Sequence, residues 1–189
     1  KPGPEGSGPK ASPASTLASA SQPTAATHWR SAWAAAGSRS TRTTSTLGKI
    51  VGASQPDEAI VYTAHHDHLG KDQALIDAGE DGIYNGAVDN ATGTAALVAL
   101  AEAHGKAGAP DRSLVFLAVT AEESGLLGAH YYAQNPVFPL AQTVGGINMD
   151  AFLVAGPSKD VTVVGPGKSQ LDQFLEAALV ADGRVSTPN

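Results

Sequence analysis

The sequence predicts an α/β fold with a largely parallel central sheet and helices on both faces. Three observations carry this expectation. From residue 48 onward, short β-branched apolar runs alternate with longer helical stretches. One run, "SLVFLAVTA" (residues 113–121), is almost continuously apolar, as a strand covered on both faces must be. Titratable residues cluster directly after the strand-like runs, the edge at which open α/β sheets gather ligands.

Taken in order, "KIVGA" (49–53) and "AIVYTA" (59–64) are short, apolar and β-branched, and read as strands. After a polar, glycine-rich stretch, "NATGTAALVALAEAHG" (90–105) sets Leu97, Val98, Leu100 and Ala101 at helical spacing, with Gly105 as a stop. "SLVFLAVTA" is the central strand. "SGLLGAHYYAQN" (124–135) reads as a helix closed by Pro136. "TVGGINM" (143–149) and "VTVVG" (161–165) read as strands. "KSQLDQFLEAALVADG" (168–183) is an amphipathic helix with Leu171, Phe174, Leu175, Ala178 and Leu179 on its apolar face.

Charge divides the chain. Residues 1–47 carry five Lys or Arg against one acid, Glu5, a balance of +4, while residues 48–189 carry seven against seventeen, a balance of −10. The first segment has no Ile, Val, Phe, Tyr or Met and is rich in Pro, Ala and Ser, so it buries too little apolar surface to offset the entropy of ordering it. It is expected to be a disordered tail, with Trp29 and Trp33 at most in a stray helical turn. Its Arg/Ser/Thr-rich makeup is loosely that of a transit peptide, and no signal peptide is visible. The chain does not begin with Met and is expected to be a processed or partial product.

Composition also limits function. Of 189 residues 42% are hydrophobic and 16% charged, and no apolar run approaches the roughly 20 residues needed to span a bilayer, so no membrane partner is expected. The net charge of −6 argues against nucleic acid. Without cysteine, a metal site must be built from His, Asp and Glu.

Such residues stand where the fold would gather them. His65, His66, Asp67 and His68 follow "AIVYTA"; Glu122 and Glu123 follow "SLVFLAVTA"; Asp150 follows "TVGGINM"; Asp89 lies at the mouth of a helix. Singly, each has an ordinary role. Asp89 or Asn90 caps the helix, the glutamates complement a helix dipole, Asp150 ends a strand in a turn, and the histidines pack or hydrogen-bond. His104 and His130, on predicted helices, read as structural or solvated. Together they would place several carboxylates side by side, which repulsion and desolvation oppose unless a divalent cation offsets both.

"AHHDHLG", "NGAVDNATG", "AVTAEESGLLG" and "INMD", in this order and spacing, resemble the M28 family of zinc peptidases, whose co-catalytic members are mostly aminopeptidases. The resemblance covers residues 48–189, a partial catalytic domain, and not residues 1–47. It implies a zinc-peptidase fold in which His65 and Asp150 bind one zinc, Asp89 bridges two, and Glu123 binds the second. Asp67 would orient His65, and Glu122 would be the general base for hydrolysis of N-terminal peptide bonds through a metal-bridged hydroxide. His66 and His68 would shape the cleft wall. The substrate is then a peptide, and a secreted or periplasmic location follows from the family alone.

One departure bears on all of this. The family's second zinc takes a further histidine well downstream, and no histidine follows His130 here. The chain therefore reads as an incomplete member. Expected consequences are one tight zinc at most, weak or absent activity, and self-association through apolar surface that the missing elements would cover. Three other readings stand beside the aminopeptidase: a carboxypeptidase, a single-zinc glutaminyl cyclase, and a catalytically silent binding domain.

Overall fold

Residues 114–119 send alternate side chains into two apolar layers, and that alternation organises the molecule. The computed structural model describes residues 28–34, 43–152 and 155–188. In chain order the elements are β1 (His28–Ala34), β2 (Thr43–Ile50), β3 (Gln55–His65), β4 (Gly70–Lys71), α1 (Gln73–Asp77), β5 (Ile83–Tyr84), α2 (Ala91–Ala107), β6 (Arg112–Val119), α3 (Leu127–Gln134), β7 (Thr143–Asn148), β8 (Asp160–Val163), α4 (Leu171–Ala181) and β9 (Val185–Pro188). Among the described residues no helix is long and apolar enough to cross a membrane.

The main sheet has five strands in the order β1-β2-β6-β3-β7. β6, β3 and β7 are mutually parallel, while β2 runs antiparallel to β6 and β1 antiparallel to β2. On one face Val115, Leu117 and Val119 of β6 join Leu47, Ala59, Val61 and Phe138, with Tyr132 of α3 packed against them. On the other, Leu114 and Phe116 join Ile50, Ala64 and Met149 beneath Leu97, Ala96, Leu100 and Ala101 of α2. Helices thus cover both faces, as the apolar run of β6 requires.

The expectation for residues 1–47 differs from the structure at both described stretches. Residues 28–34 form β1, where a helical turn was expected around Trp29 and Trp33, and β2 begins at Thr43. A sequence poor in apolar residues can still supply a strand when a sheet is already present. β2 needs only Ser45, Leu47, Gly48 and Ile50 buried, its threonines suit extended backbone, and pairing with β6 gives its peptide groups partners. Residues 1–27 and 35–42 lie outside the described residues.

Two further differences are local. The polar stretch after β3 contains α1, capped by the Asp72 carboxylate accepting from Ala74 N and Leu75 N, and a small β4–β5 ladder. β8 and β9 form a separate parallel pair connected through α4. Only Leu179 of α4 is buried and Phe174 is 67% exposed, because this short pair offers the helix little apolar surface. On β7, an outer strand of the sheet among the described residues, Val144 and Ile147 are also exposed.

α3 approaches the sheet closely at Gly128. A Cβ there would lie 2.4 Å from Thr120 O and 2.7 Å from Thr120 N, both backbone atoms that cannot swing aside. Gly128→Ala should therefore destabilise the fold by about 1–3 kcal/mol in urea unfolding, the usual range for overpacking. His130→Ala, exposed on the same helix, should stay within about 0.5 kcal/mol. A neutral Gly128→Ala would mean that α3 does not press on Thr120.

Candidate metal centre

Parallel register brings three chain segments level. His65, the last residue of β3, pairs with Val119, the last of β6, and Thr63 pairs with Asn148, the last of β7. Glu122 and Glu123 therefore emerge beside His65, and Asp150, two residues beyond Asn148, lies level with it. This is the carboxyl edge of the sheet.

His65 is the buried anchor, 2% exposed. Its Nδ1 lies 3.1 Å from the carbonyl oxygen of Asp67 and donates to it. Nε2 then faces Asp89 Oδ1 at 3.0 Å and Asp150 Oδ1 at 3.4 Å. The Asp67 carboxylate, expected to orient His65, lies 3.9 Å from the same Nδ1. Burial lowers the His65 pKa, but the Asp67 hydrogen bond and the fields of Asp150, Glu122 and Asp89 outweigh it and leave the value above the ordinary 6.5.

Asp89 and Asn90 divide between them the two roles the sequence left open. Asn90, 1% exposed, caps α2 by accepting from Gly93 N at 2.9 Å. The same side chain donates to Met149 O at 3.0 Å and accepts from Ala151 N at 3.4 Å, gripping both neighbours of Asp150. Asp89 is thereby free to face the cleft. Gly93 has to be glycine, because a Cβ would sit 2.4 Å from Asn90 Oδ1 and 2.5 Å from Met149 O.

Adjacent glutamates splay apart because the Asp67 carboxylate holds their backbone. Its two oxygens accept from Glu122 N at 3.0 Å and Glu123 N at 3.4 Å. Glu122 lines a cavity of about 340 Å³ together with His65, Asp150, Asn148 and Tyr132. Glu123 turns the other way, to His68 Nδ1 at 2.6 Å. Three non-glycine residues with positive φ flank these groups: Ala121 at 55°, Leu126 at 60° and Ala151 at 47°. Such backbone costs on the order of 1 kcal/mol apiece and is held by the surrounding packing.

Two donor groups result. Ligand atoms of His65, Asp89 and Asp150 lie within 4.8 Å of one another, as do those of His68, Asp89 and Glu123. The first fits zinc chemically: one imidazole whose Nε2 is left free by the Nδ1 hydrogen bond, and two carboxylates whose mutual repulsion a divalent charge relieves. His66 stays structural, its Nδ1 donating to Val119 O at 2.5 Å. His104 packs beside Tyr62 and Phe116, and His130 is exposed. His68, read from sequence as cleft wall, lines a cavity with His66 and Asp67 and faces the Glu123 carboxylate. A larger cavity of about 810 Å³, beside α4 and the β8–β9 pair, holds no histidine.

The family model described as "Peptidase family M28" matches residues 45–189. Over 110 residues, 55% of this chain, the sequence is 34% identical to aminopeptidase NAALADL1 of Mus musculus; that stretch is 13% of the relative's length. Among solved structures, a zinc aminopeptidase from Bacillus subtilis, BSAP, matches at TM-score 0.60 and 23% identity over 78% of this chain and 35% of its own. A glutaminyl cyclase from Bacteroides thetaiotaomicron matches at TM-score 0.62 and 18% identity over 88% of this chain and 64% of its own. At these identities the structural likenesses establish the fold.

Two measurements check the geometry. Asn90→Ala removes a cap and leaves Gly93 N and Met149 O unpaired, so unfolding should show a loss of about 2–4 kcal/mol. The raised His65 pKa gives a signed pH response. In metal-free protein the charged imidazole contributes stability that is full below 6.5 and fades as pH rises through the higher folded value. Zinc requires the neutral ring, so its affinity should fall about tenfold per pH unit below that folded value, with proton release visible by calorimetry in buffers of different ionisation enthalpy.

Proposed function

We propose that this chain, which belongs to peptidase family M28, acts as a zinc-dependent exopeptidase of the aminopeptidase type. The observation that carries the reading is the shared cavity: Glu122, which hydrogen-bonds neither of the carboxylates beside it, faces the same space as His65 and Asp150. Metallopeptidase chemistry needs that separation of a proton-handling carboxylate from metal-holding ones.

His65, Asp89 and Asp150 would hold the first zinc, which when bound supplies Lewis acidity towards water and the scissile carbonyl. The remaining work falls to this chain's own groups. Glu122 takes a proton from the attacking water on its carboxylate and returns it to the amide nitrogen that leaves. Asp67 keeps Glu122 in place by accepting its backbone N–H. The exposed carboxylates of Asp89 and Asp150, about half in solvent, offer pairing to the free ammonium of a peptide's first residue. Peptides are the expected substrate class, and self-association through the apolar surface of β7 remains part of the proposal.

Aminoacyl-nitroanilide hydrolysis tests this. Glu122→Gln should lower kcat by about 10²–10⁴-fold while leaving zinc content unchanged. Equal turnover by wild type and Glu122→Gln would remove Glu122 from the chemistry. Cyclisation of N-terminal glutaminyl peptides in place of hydrolysis would favour the cyclase reading, cleavage from the carboxyl end the carboxypeptidase one, and zinc binding without turnover of any of these the silent domain.

A further inference from the structure

We infer that the cavity beside His65 and Asp150 receives the side chain of a peptide's first residue, and that Asn148, paired with Thr63 at its floor, selects a side chain ending in a neutral amide. The inference rests on the exopeptidase reading and deepens it, naming the substrate class that the site prefers.

Strand register places the cavity. Side chains alternate along a strand, so Thr63 shares a face with His65 on β3, and Leu117 with Val119 on β6; parallel pairing sets Asn148 beside Thr63. This is the face against which Tyr132 of α3 packs. Thr63, Leu117, Val119 and Asn148 all line the cavity that Glu122, His65 and Asp150 share. The space therefore runs from the ionisable groups at the sheet edge down to the Thr63–Asn148 pair, two residues deeper, a depth of about 7 Å. With its ammonium paired to Asp89 and Asp150, a substrate's first residue has this space for its side chain.

Leu117, Val119 and Ala129 make the walls apolar, whereas the floor is polar. Thr63 Oγ1 donates to Asn148 Oδ1 at 2.7 Å. Held in this way, Asn148 keeps the N–H donors of Nδ2 without a protein partner among the described residues, and Thr63 Oγ1 keeps its lone pairs. A donor and an acceptor side by side match a carboxamide, whose oxygen accepts from Asn148 and whose N–H donates to Thr63. Side chains of similar length match less well. Glutamate would add a carboxylate beside those of Glu122 and Asp150, and lysine has no acceptor for Asn148 Nδ2. Methionine fits the apolar walls, but its thioether is a weak acceptor and no donor, so it displaces water from the pair without replacing the hydrogen bonds. Glutamine satisfies walls and floor together.

Hydrolysis of glutaminyl-, methionyl- and lysyl-nitroanilides by the zinc-loaded 189-residue chain tests this, with circular dichroism to verify that each variant folds. Wild type should favour the glutaminyl over the methionyl substrate by about tenfold or more in kcat/KM, and Asn148→Leu should reverse that order. Thr63→Val keeps the side chain's shape but releases the Asn148 amide, and should bring the ratio within about threefold of unity. A second readout needs no turnover: calorimetry of glutaminyl-alanine and methionyl-alanine with the Glu122→Gln chain should give the same order of affinity. Equal kcat/KM for the glutaminyl and methionyl substrates in wild type, or a ratio unmoved by either substitution, would overturn the amide selection and leave the exopeptidase reading intact. Amide-selective binding with no hydrolysis of any substrate by wild type would keep the role of Asn148 and defeat the exopeptidase reading. Neither binding nor hydrolysis would overturn both.

Discussion

One buried amide makes the site possible. Asn90 closes the first turn of α2 and, with the same side chain, clasps the backbone on either side of Asp150. Asp89 precedes it directly and Asp150 lies within its grip, so both carboxylates reach His65 as a consequence of one side chain's hydrogen bonds. Mutual repulsion pushes these acids apart. Left to themselves, such side chains would turn to solvent. What resists is a neutral group, satisfied on both its donor and acceptor sides and closed off from water.

Asp67 does the corresponding work across the cleft. Ending parallel strands at one edge brings residues level, but it does not aim them, and consecutive residues after a strand tend to follow one another out. By accepting both the Glu122 and Glu123 N–H groups, Asp67 fixes the turn after Ala121 so that one glutamate enters the cavity with His65 and the other meets His68. Positive φ at Ala121 and Ala151, beside the site residues that follow β6 and β7, shows where the backbone departs from its easiest path to achieve this. Non-ligand groups thus set the geometry on which ligand chemistry depends.

Much of this was legible in the sequence, for identifiable reasons. β6 was plain because an unbroken apolar run of its length fits little besides a strand covered on both faces, and α2 because its apolar spacing is regular. Site residues stood out because acids and histidines followed successive strands. β1 and most of β2 were not legible, only the last two residues of β2 falling within the strand read at 49–53: both take stability from pairing with a sheet formed by later residues, and a tract of Thr, Ser and Arg carries no local sign of that. Phe174, read on the apolar face of α4, stays exposed because the short β8–β9 pair gives that face little to pack on. The partners of His68 and of the Asp67 carboxylate were not legible, because adjacent positions in "HHDH" diverge in space and only the turn after β3 decides which group each one meets.

Crystals of the zinc-loaded chain, with anomalous diffraction recorded at the zinc absorption edge, test the account most directly, because they ask whether a cation occupies the point on which these side chains converge. The strongest anomalous peak should lie between His65 Nε2 and the carboxylates of Asp89 and Asp150. A zinc-loaded crystal in which that point carries no peak while the three side chains keep their positions would contradict it.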